Sequence, residues 1–492
     1  MSAISTIDFK ELKKEKDELV VRTGYLQRLI MAKKIPVMIV FEGVHASGKG
    51  RLSNELLLAL DARYTDFYAT HKPTEDELRR PLLWQYSVNA PSYGNINIYY
   101  RSWYSLYIAL INQKFELNRY ADKKALVKEI RDFENTLIDD GTVLIKFYLH
   151  ISKEKQMEHI RKMRENPRTM WRAQEYDAEN DEKYEHEMRK LLKDGNHNEA
   201  PWHHIEYDVR ERAVNEMLRT VTSILEKAIA EHDRKSSEPK ERDGKFKGTD
   251  DGALEGFDKC VTIDKKVYRE KLEDLQQRMR EVQYTLYQKK IPLFVVYEGW
   301  DAGGKGGNIK RLVEPLDPTM YIVNTTAAPN ETERNHNYLW RFWTTIPKSG
   351  HIAIYDRSWY GRLMVERVEG FATNQEWSRA YQEINDFEES QTNFGAIVIK
   401  LFLYISKEEQ LKRFEDRQSD PNKVWKITDE DWRNREKWDI YVEAVNDMIE
   451  KTDRKNAPWI VINGNDKKYA RVKALETIVE ICEKKLYDKN GN

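Results

Sequence analysis

The sequence predicts an α/β protein made of two tandem copies of one domain, each a doubly wound parallel sheet with helices on both faces. Three observations carry this. A set of unusual strings recurs at nearly constant spacing. Short, wholly apolar runs alternate with polar stretches of helical periodicity, the pattern of strands buried on both faces. In both copies a Gly-rich turn follows directly on the first apolar run.

The repeat fixes the domain organisation. "YYRSWY" at 99–104 returns as "YDRSWY" at 355–360, an offset of 256. "KKIPVMIVFEGVHASGKG", ending at Gly50, returns with the same offset as "KKIPLFVVYEGWDAGGKG", ending at Gly306. "IKFYLHISKEKQ" from Ile145 and "DFE" at 132–134 recur 254 residues later, and "APW" at 200–202 recurs after 257. The landmarks keep one order with small drift, so the N-terminal copy is read as 1–229 and the C-terminal copy as 263–492. Between them, 230–262 is charged, Gly-containing and poor in large apolar residues, and reads as a linker.

In the C-terminal copy, 266–290 has the spacing of an amphipathic helix, which Pro292 helps to end. "LFVVYEG" (293–299) reads as a buried strand, then come the Gly-rich turn and a helix through "NIKRLVEPL". "HIAIYD" and "AIVIKLFLYI" read as further strands and "WIVING" as the last. In such sheets ligands lie at the carboxyl ends of the strands. Both the Gly-rich turn and the aspartate of "YDRSWY" fall there.

Composition excludes several classes. Of 492 residues, 40% are apolar and 34% charged. No apolar run is long enough for a membrane span, and the N-terminal stretch has no apolar core of the signal-peptide kind. The two cysteines, Cys260 and Cys482, cannot build a disulfide framework or a metal knuckle. Lys and Arg total 82 against 83 for Asp and Glu, so no global field attracts a polyanion. The expectation is a soluble protein of a reducing, cytoplasmic compartment, with neither membrane nor nucleic acid as partner.

The chemistry concentrates in "GWDAGGKG" (299–306), which fits the G-x-x-x-x-G-K part of a phosphate loop in the required context, after a strand and before a helix. Gly299, Gly303, Gly304 and Gly306 would let backbone N–H groups converge on phosphate oxygens, with Lys305 adding a point charge. The Ser or Thr that normally follows the lysine and holds Mg²⁺ is absent, so the metal needs other oxygen ligands. Asp301 in the loop and Asp356 at a strand end are the candidates. A lone aspartate in either place would as readily be a turn or cap residue; two beside a phosphate loop favour the metal. In the N-terminal copy Gly43, Gly48 and Lys49 remain, but His45 replaces Asp301 and Tyr100 replaces Asp356. Neutral His and Tyr are poor Mg²⁺ ligands. That copy therefore reads as having kept the fold and lost the catalytic metal.

Positive charge collects in the C-terminal copy. Arg357, Arg362 and Arg367 follow the strand end, and Lys310 and Arg311 follow the loop. "LKRFEDRQSDPNKVWK" places Arg413 and Arg417 on one helix face, followed by Lys423 and Lys426. This helix–loop–helix has the character of a lid that closes over phosphates. A single Lys or Arg here could equally be solvated helix surface. Aligned positions argue otherwise: Asn54, Leu106, Ile111, His159 and Met163 stand for Lys310, Arg362, Arg367, Arg413 and Arg417, while Arg101 still stands for Arg357. In "LWRFW" (339–343), Trp340 and Trp343 are expected in the core rather than stacked on a base.

"GWDAGGKGG", "YDRSWYGRLMVERVEGF" and "RFEDRQSDPNKVWKITDEDW" together resemble the family-2 polyphosphate kinases, and the tandem layout resembles that family's two-domain polyphosphate:AMP phosphotransferases. The resemblance implies a thymidylate-kinase-like P-loop core with a helical lid in each repeat, the C-terminal one active. It implies transfer of a terminal phosphate from inorganic polyphosphate to AMP, giving ADP, with Mg²⁺ (or Mn²⁺) at Asp301 and Asp356. Asp301, Lys305, Asp356 and Arg357 are then the catalytic set, with Arg357 stabilising transition-state charge. Lys310, Arg362, Arg367, Arg413, Arg417, Lys423 and Lys426 are the polyphosphate- and nucleotide-binding set. A polyphosphate-dependent ADP or GDP kinase and an ATP-dependent P-loop nucleotide kinase stand as alternatives, and the sequence leaves a homo-oligomer open.

Overall fold

The computed structural model describes residues 8–113, 125–194, 199–246 and 252–487. It contains two five-stranded sheets in which every strand pair is parallel. The first comprises β1 (Val37–Gly43), β2 (Thr65–Ala69), β3 (Ile96–Tyr100), β4 (Val143–His150) and β5 (Trp202–Glu206). The second comprises β6 (Leu293–Gly299), β7 (Tyr321–Thr325), β8 (Ile352–Asp356), β9 (Ile397–Tyr404) and β10 (Trp459–Asn463). The spatial orders, β2-β3-β1-β4-β5 and β7-β8-β6-β9-β10, are the same. So is the register: Val37 faces Ile96 and Val143, as Leu293 faces Ile352 and Ile397.

The apolar runs are central strands. β9 is buried along its whole length and β6 up to Gly299, because helices cover both faces. Helices Lys265–Gln288 and Lys467–Tyr487 bury one face of the second sheet, and Asn374–Asn393 and Trp438–Thr452 bury the other. β7 has no counterpart among the strands expected from the sequence. It lies at the sheet edge with Ile322, Val323 and Thr325 exposed, so its sequence carries no buried apolar run.

The shared "RSWY" is structural. Ser358 donates its N–H and its hydroxyl to Glu298 Oε1, 2.8 Å each. Trp359 Nε1 and Tyr360 OH donate to Glu388 Oε1 at 3.1 and 2.8 Å, and Lys400 Nζ lies 2.8 Å from Glu388 Oε2. In the first repeat Ser102, Trp103, Tyr104, Glu42, Glu134 and Lys146 rebuild the same set. A fully buried carboxylate–ammonium pair survives because these donors complete its hydrogen bonding, and losing one partner costs about 3–5 kcal/mol. Hence Ser, Trp and Tyr persist in both copies while the neighbouring Asp does not.

The repeats pack on each other about a pseudo-two-fold axis. Tyr93 N donates to Asn335 O at 2.7 Å, and the corresponding Ser349 N donates to Arg79 O at 2.9 Å. Trp84 Nε1 donates to Trp343 O, and its counterpart Trp340 Nε1 donates to Val88 O, both at 3.0 Å. The two tryptophans of "LWRFW" are thus interface residues, Trp340 also stacked on His336 and Trp343 set edge-on to Phe387.

The first helix of the predicted linker region is continuous with the N-terminal repeat: Arg210–Ser237 runs eight residues past Ile229. Beyond it, Arg242 Nη1 donates to Gly370 O and Phe371 O at 2.8 and 2.6 Å, and Leu254 is buried in the C-terminal core. Residues 247–251 of that stretch lie outside the described residues. Among the described residues no helix is long and apolar enough to cross a membrane.

Candidate active site

The loop 299–306 joins β6 to the helix Lys305–Val313, whose N-cap is Gly304 with φ +104°. Glycine is required at 299. Its φ is +143°, and a Cβ there would stand 2.5 Å from Leu403 O. At Gly303 a Cβ would meet Trp300 O at 2.8 Å, whereas at Gly306 nothing lies within 4 Å. Only part of the glycine pattern is therefore forced by packing.

Loop carbonyls are tied from behind. Gln410 Nε2 donates to Asp301 O at 3.2 Å and Arg413 Nη1 to Ala302 O at 2.9 Å. Lys305 Nζ folds back onto Gly299 O at 2.7 Å and Trp300 O at 3.3 Å. Burial, and next the neighbouring Arg357, lower the Lys305 pKa from its ordinary value.

Asp356 ends β8, and the register sets it beside Tyr297, two residues before Gly299. Its carboxylate makes no hydrogen bond or ion pair within 4 Å among the described residues. Asp301 is engaged: Oδ1 accepts from Arg357 Nη2 and Oδ2 from Asn434 Nδ2, both at 2.9 Å. Both carboxylates act electrostatically on Lys305 and on Arg357. Arg357 has φ +65°, as Arg101 has +63°, so this left-handed turn belongs to the fold of both repeats. Asn434 was not expected from the sequence; it stands in a charged helical stretch with no signal of its own.

The cationic set divides. Lys310 is exposed on the helix leaving the loop. Arg417 Nη1 donates to Lys426 O at 3.1 Å, Lys423 pairs with Asp420, and Lys426 lies 5.1 Å from the centre of the Trp425 ring. These four stay available on the loop helix and the lid-like segment. Three others do not lie along an open track. Arg367 is buried, donating to Gly244 O, Tyr381 OH and Asp447 Oδ2 at 2.8–3.0 Å between the Phe246 and Trp377 rings. Arg413 spends its donors on Glu409, Ala302 O, Gly464 O and Asn465 O. Arg362 lies over Tyr338, 4.4 Å from the ring centre, and pairs with Glu366 at 3.0 Å. Helical spacing gives the face of a helix but not which charges that face meets, so the sequence could not separate these from free cations.

The equivalent loop of the first repeat is closed by its own chain. His45 N donates to both oxygens of Asp181, at 3.2 and 3.1 Å, and Gln156 Nε2 donates to Asp181 Oδ2 at 2.7 Å. A carboxylate thus caps a loop amide that a phosphate would need. The position aligned with Asp181 is Arg435, whose Nη1 donates to Lys407 O at 2.5 Å, so the sign of charge there is reversed. Lys49, bonded to Gly43 O and Val44 O, is pushed down to about 7 by burial and by Arg101, and near neutral pH it carries only part of its charge.

A family model for polyphosphate kinase 2 matches this chain twice, over residues 6–233 and 262–490. A polyphosphate:AMP phosphotransferase from Pseudomonas aeruginosa is 37% identical over 463 residues, which are 92% of this chain and 91% of that protein. One of the same name from Pseudomonas syringae pv. tomato is 35% identical over 457 residues, 92% of this chain and 91% of that protein. A solved structure described as a polyphosphate kinase 2 from Pseudomonas aeruginosa superposes with TM-score 0.84 at 34% identity, covering 99% of this chain and 98% of that one. The matches span both repeats, and the chain belongs to the polyphosphate kinase 2 family.

Proposed function

We propose that the C-terminal repeat moves the terminal phosphoryl group of inorganic polyphosphate to AMP, giving ADP, and that the N-terminal repeat takes no part in the chemistry. The observation that carries this is the asymmetry of the two loops. Asp301, Lys305, Asp356 and Arg357 converge at one, and Asp181 caps the other. Relatives over nine-tenths of the chain bear the name polyphosphate:AMP phosphotransferase, which supports the choice of donor and acceptor.

An oxygen of the AMP phosphate attacks the terminal phosphorus of the donor. A new P–O bond forms, the bridging P–O bond breaks, and the donor leaves one phosphate shorter. The attacking oxygen is already ionised, so no strong base is needed and positioning with charge stabilisation carries the reaction. Loop amides and Lys305 hold phosphate oxygens, and Arg357 steadies charge on the transferring group. Asp356, whose carboxylate has no hydrogen bond or ion pair among the described residues, and Asp301 are the residues that fit a divalent cation. Bound there, Mg²⁺ (or Mn²⁺) would neutralise charge shared between donor and acceptor phosphates. Lys310, Arg417, Lys423 and Lys426 would carry the remaining phosphates of the donor.

The test mixes the protein with Mg²⁺, long-chain polyphosphate and AMP, ADP or GDP in turn, without ATP. ADP formed from AMP supports the reading. Phosphorylation of ADP or GDP alone changes the acceptor, and no product without ATP overturns the donor.

A further inference from the structure

The contact between repeats is symmetric in its backbone and tryptophan hydrogen bonds but not in its charges. Asp140 of the N-terminal repeat reaches across the axis, its Oδ1 2.7 Å from Arg379 Nη2 and its Oδ2 accepting from Tyr93 OH at 2.7 Å. Arg379 Nη1 donates to Asp139 O at 2.8 Å as well. On the other side of the axis the corresponding residues are Phe394 and Ala125. Phe394 is buried in the apolar core of the N-terminal repeat. At this pair of positions the interface is ionic where Asp140 meets Arg379 and apolar where Phe394 enters the N-terminal core, with Glu129 bonded to Ser390 and Asn393 and Lys128 paired with Glu389 beside it.

The ionic side leads to the candidate active site. Arg379 Nε donates to Glu383 Oε1 at 2.8 Å, and the Tyr338 hydroxyl lies within electrostatic reach of the same carboxylate, the hydroxyl and Glu383 Oε2 both being buried without a hydrogen-bond partner among the described residues. Arg362 lies on the Tyr338 ring and ends the turn Trp359–Arg362, which starts three residues beyond Asp356. Arg362 Nε is buried and has no hydrogen-bond partner among the described residues; the guanidinium lies on Tyr338 and pairs with Glu366, with Asp140, Tyr93 and Glu376 within electrostatic reach. Tyr338 belongs to the segment 326–343 that follows β7, the strand on the far side of β8 from the phosphate loop. Trp340 Nε1 fixes that segment to Val88 O, and Arg341 Nη1 donates to Ala327 O at 3.1 Å. Asp140, Arg379 and Glu383 are thus joined by hydrogen bonds, and Tyr338 and Arg362 pack next to them on the β7 side of the second sheet.

We propose that Asp140 is a positioning residue for the C-terminal site: through Arg379, Glu383 and Tyr338 it holds Arg362 and the segment 326–343, which form the wall for the substrate on the β7 side. This rests on the transfer reaction proposed above and gives the N-terminal repeat a task that does not need its own loop. A two-sided site needs a rigid wall on each side. The phosphate loop is braced within its repeat by Arg413, whereas the opposite wall is braced from the other repeat.

The experiment compares full-length wild type with Asp140→Asn, Arg379→Met and their double variant, with Glu129→Gln, on the other side of the axis, as control. Hydrogen–deuterium exchange reads the wall without requiring turnover: faster exchange of 326–343 and 359–368, with 70–88 unchanged, is expected for Asp140→Asn. Steady-state kinetics with both substrates varied should show KM raised about tenfold for one substrate only and kcat within threefold. The double variant should be no worse than the worse single, Asp140→Glu should regain part of the loss, and Glu129→Gln should leave both KM values unchanged. Unchanged exchange in 326–343 overturns the proposal. So does a loss of active enzyme with both KM values intact, or an equal rise in both. If wild type makes no product, the reaction reading fails, while the exchange measurement still decides whether Asp140 braces the wall.

Discussion

Arg357 Nη2 lies 2.9 Å from Asp301 Oδ1, while Asp356, whose backbone adjoins Arg357, keeps its carboxylate clear of any hydrogen bond or ion pair among the described residues. Two acids at neighbouring strand ends thus differ in state: one is paired with an arginine, the other is open. In the proposed reaction the open one would be the better first ligand for a divalent cation, and the paired one would supply charge once its arginine turned to phosphate.

Asp356→Asn should therefore cost activity and not stability. Turnover is expected to fall by about 10²-fold or more, the scale for removing one electrostatic contributor to a transition state. The melting temperature should stay within about 2 °C of wild type, because among the described residues its carboxylate has no hydrogen bond or ion pair to lose. Product assays and thermal scans on the same preparations check both halves.

Arg367→Ala should do the reverse. Its guanidinium is buried between two aromatic rings and bonded to Gly244 O, Tyr381 OH and Asp447, which keeps Lys451 as a second partner. A loss of about 1–3 kcal/mol in unfolding free energy is expected, from lost hydrogen bonds and packing. Enzyme that remains folded should keep its KM for polyphosphate. Denaturant titration and kinetics on the soluble fraction separate the two.

Glu129 makes the interface sensitive to pH. Burial pushes its carboxyl up to about 8, with Ser390 and Asn393 as its hydrogen-bond partners. The unfolded chain releases this proton near pH 4.5, whereas the folded one keeps it to about 8, so the folded state binds more protons in between. Stability then falls as pH rises across that window and levels off above it. Glu129→Gln should flatten the slope, raising stability at pH 8 by on the order of 1 kcal/mol or more and leaving pH 4.5 nearly unchanged. Unfolding curves at several pH values measure this.

The central strands and the loop were legible in the sequence because their signals are local. "LFVVYEG" is apolar since both its faces are covered, and Gly299 and Gly304 are glycine since their backbone angles demand it. The edge strand Tyr321–Thr325 was not legible, because half-exposed edges need no apolar run. The aligned pairs Asp301/His45 and Asp356/Tyr100 marked the chemical difference between the repeats, and the structure adds Asp181 as a plug on one loop. The cations were the least legible part. Arg367, Arg413 and Lys423 look alike in sequence, yet one clamps a core, one ties a loop and one is exposed at the tip of the lid-like segment.

The central claim is that one of two similar loops does the chemistry. It is tested most directly by the rate of ADP formation from AMP and polyphosphate, without ATP, in full-length Lys49→Ala and Lys305→Ala. The account predicts wild-type turnover for the first and a loss of about 10²-fold or more for the second. Comparable losses in both variants, or a loss confined to Lys49→Ala, would contradict it.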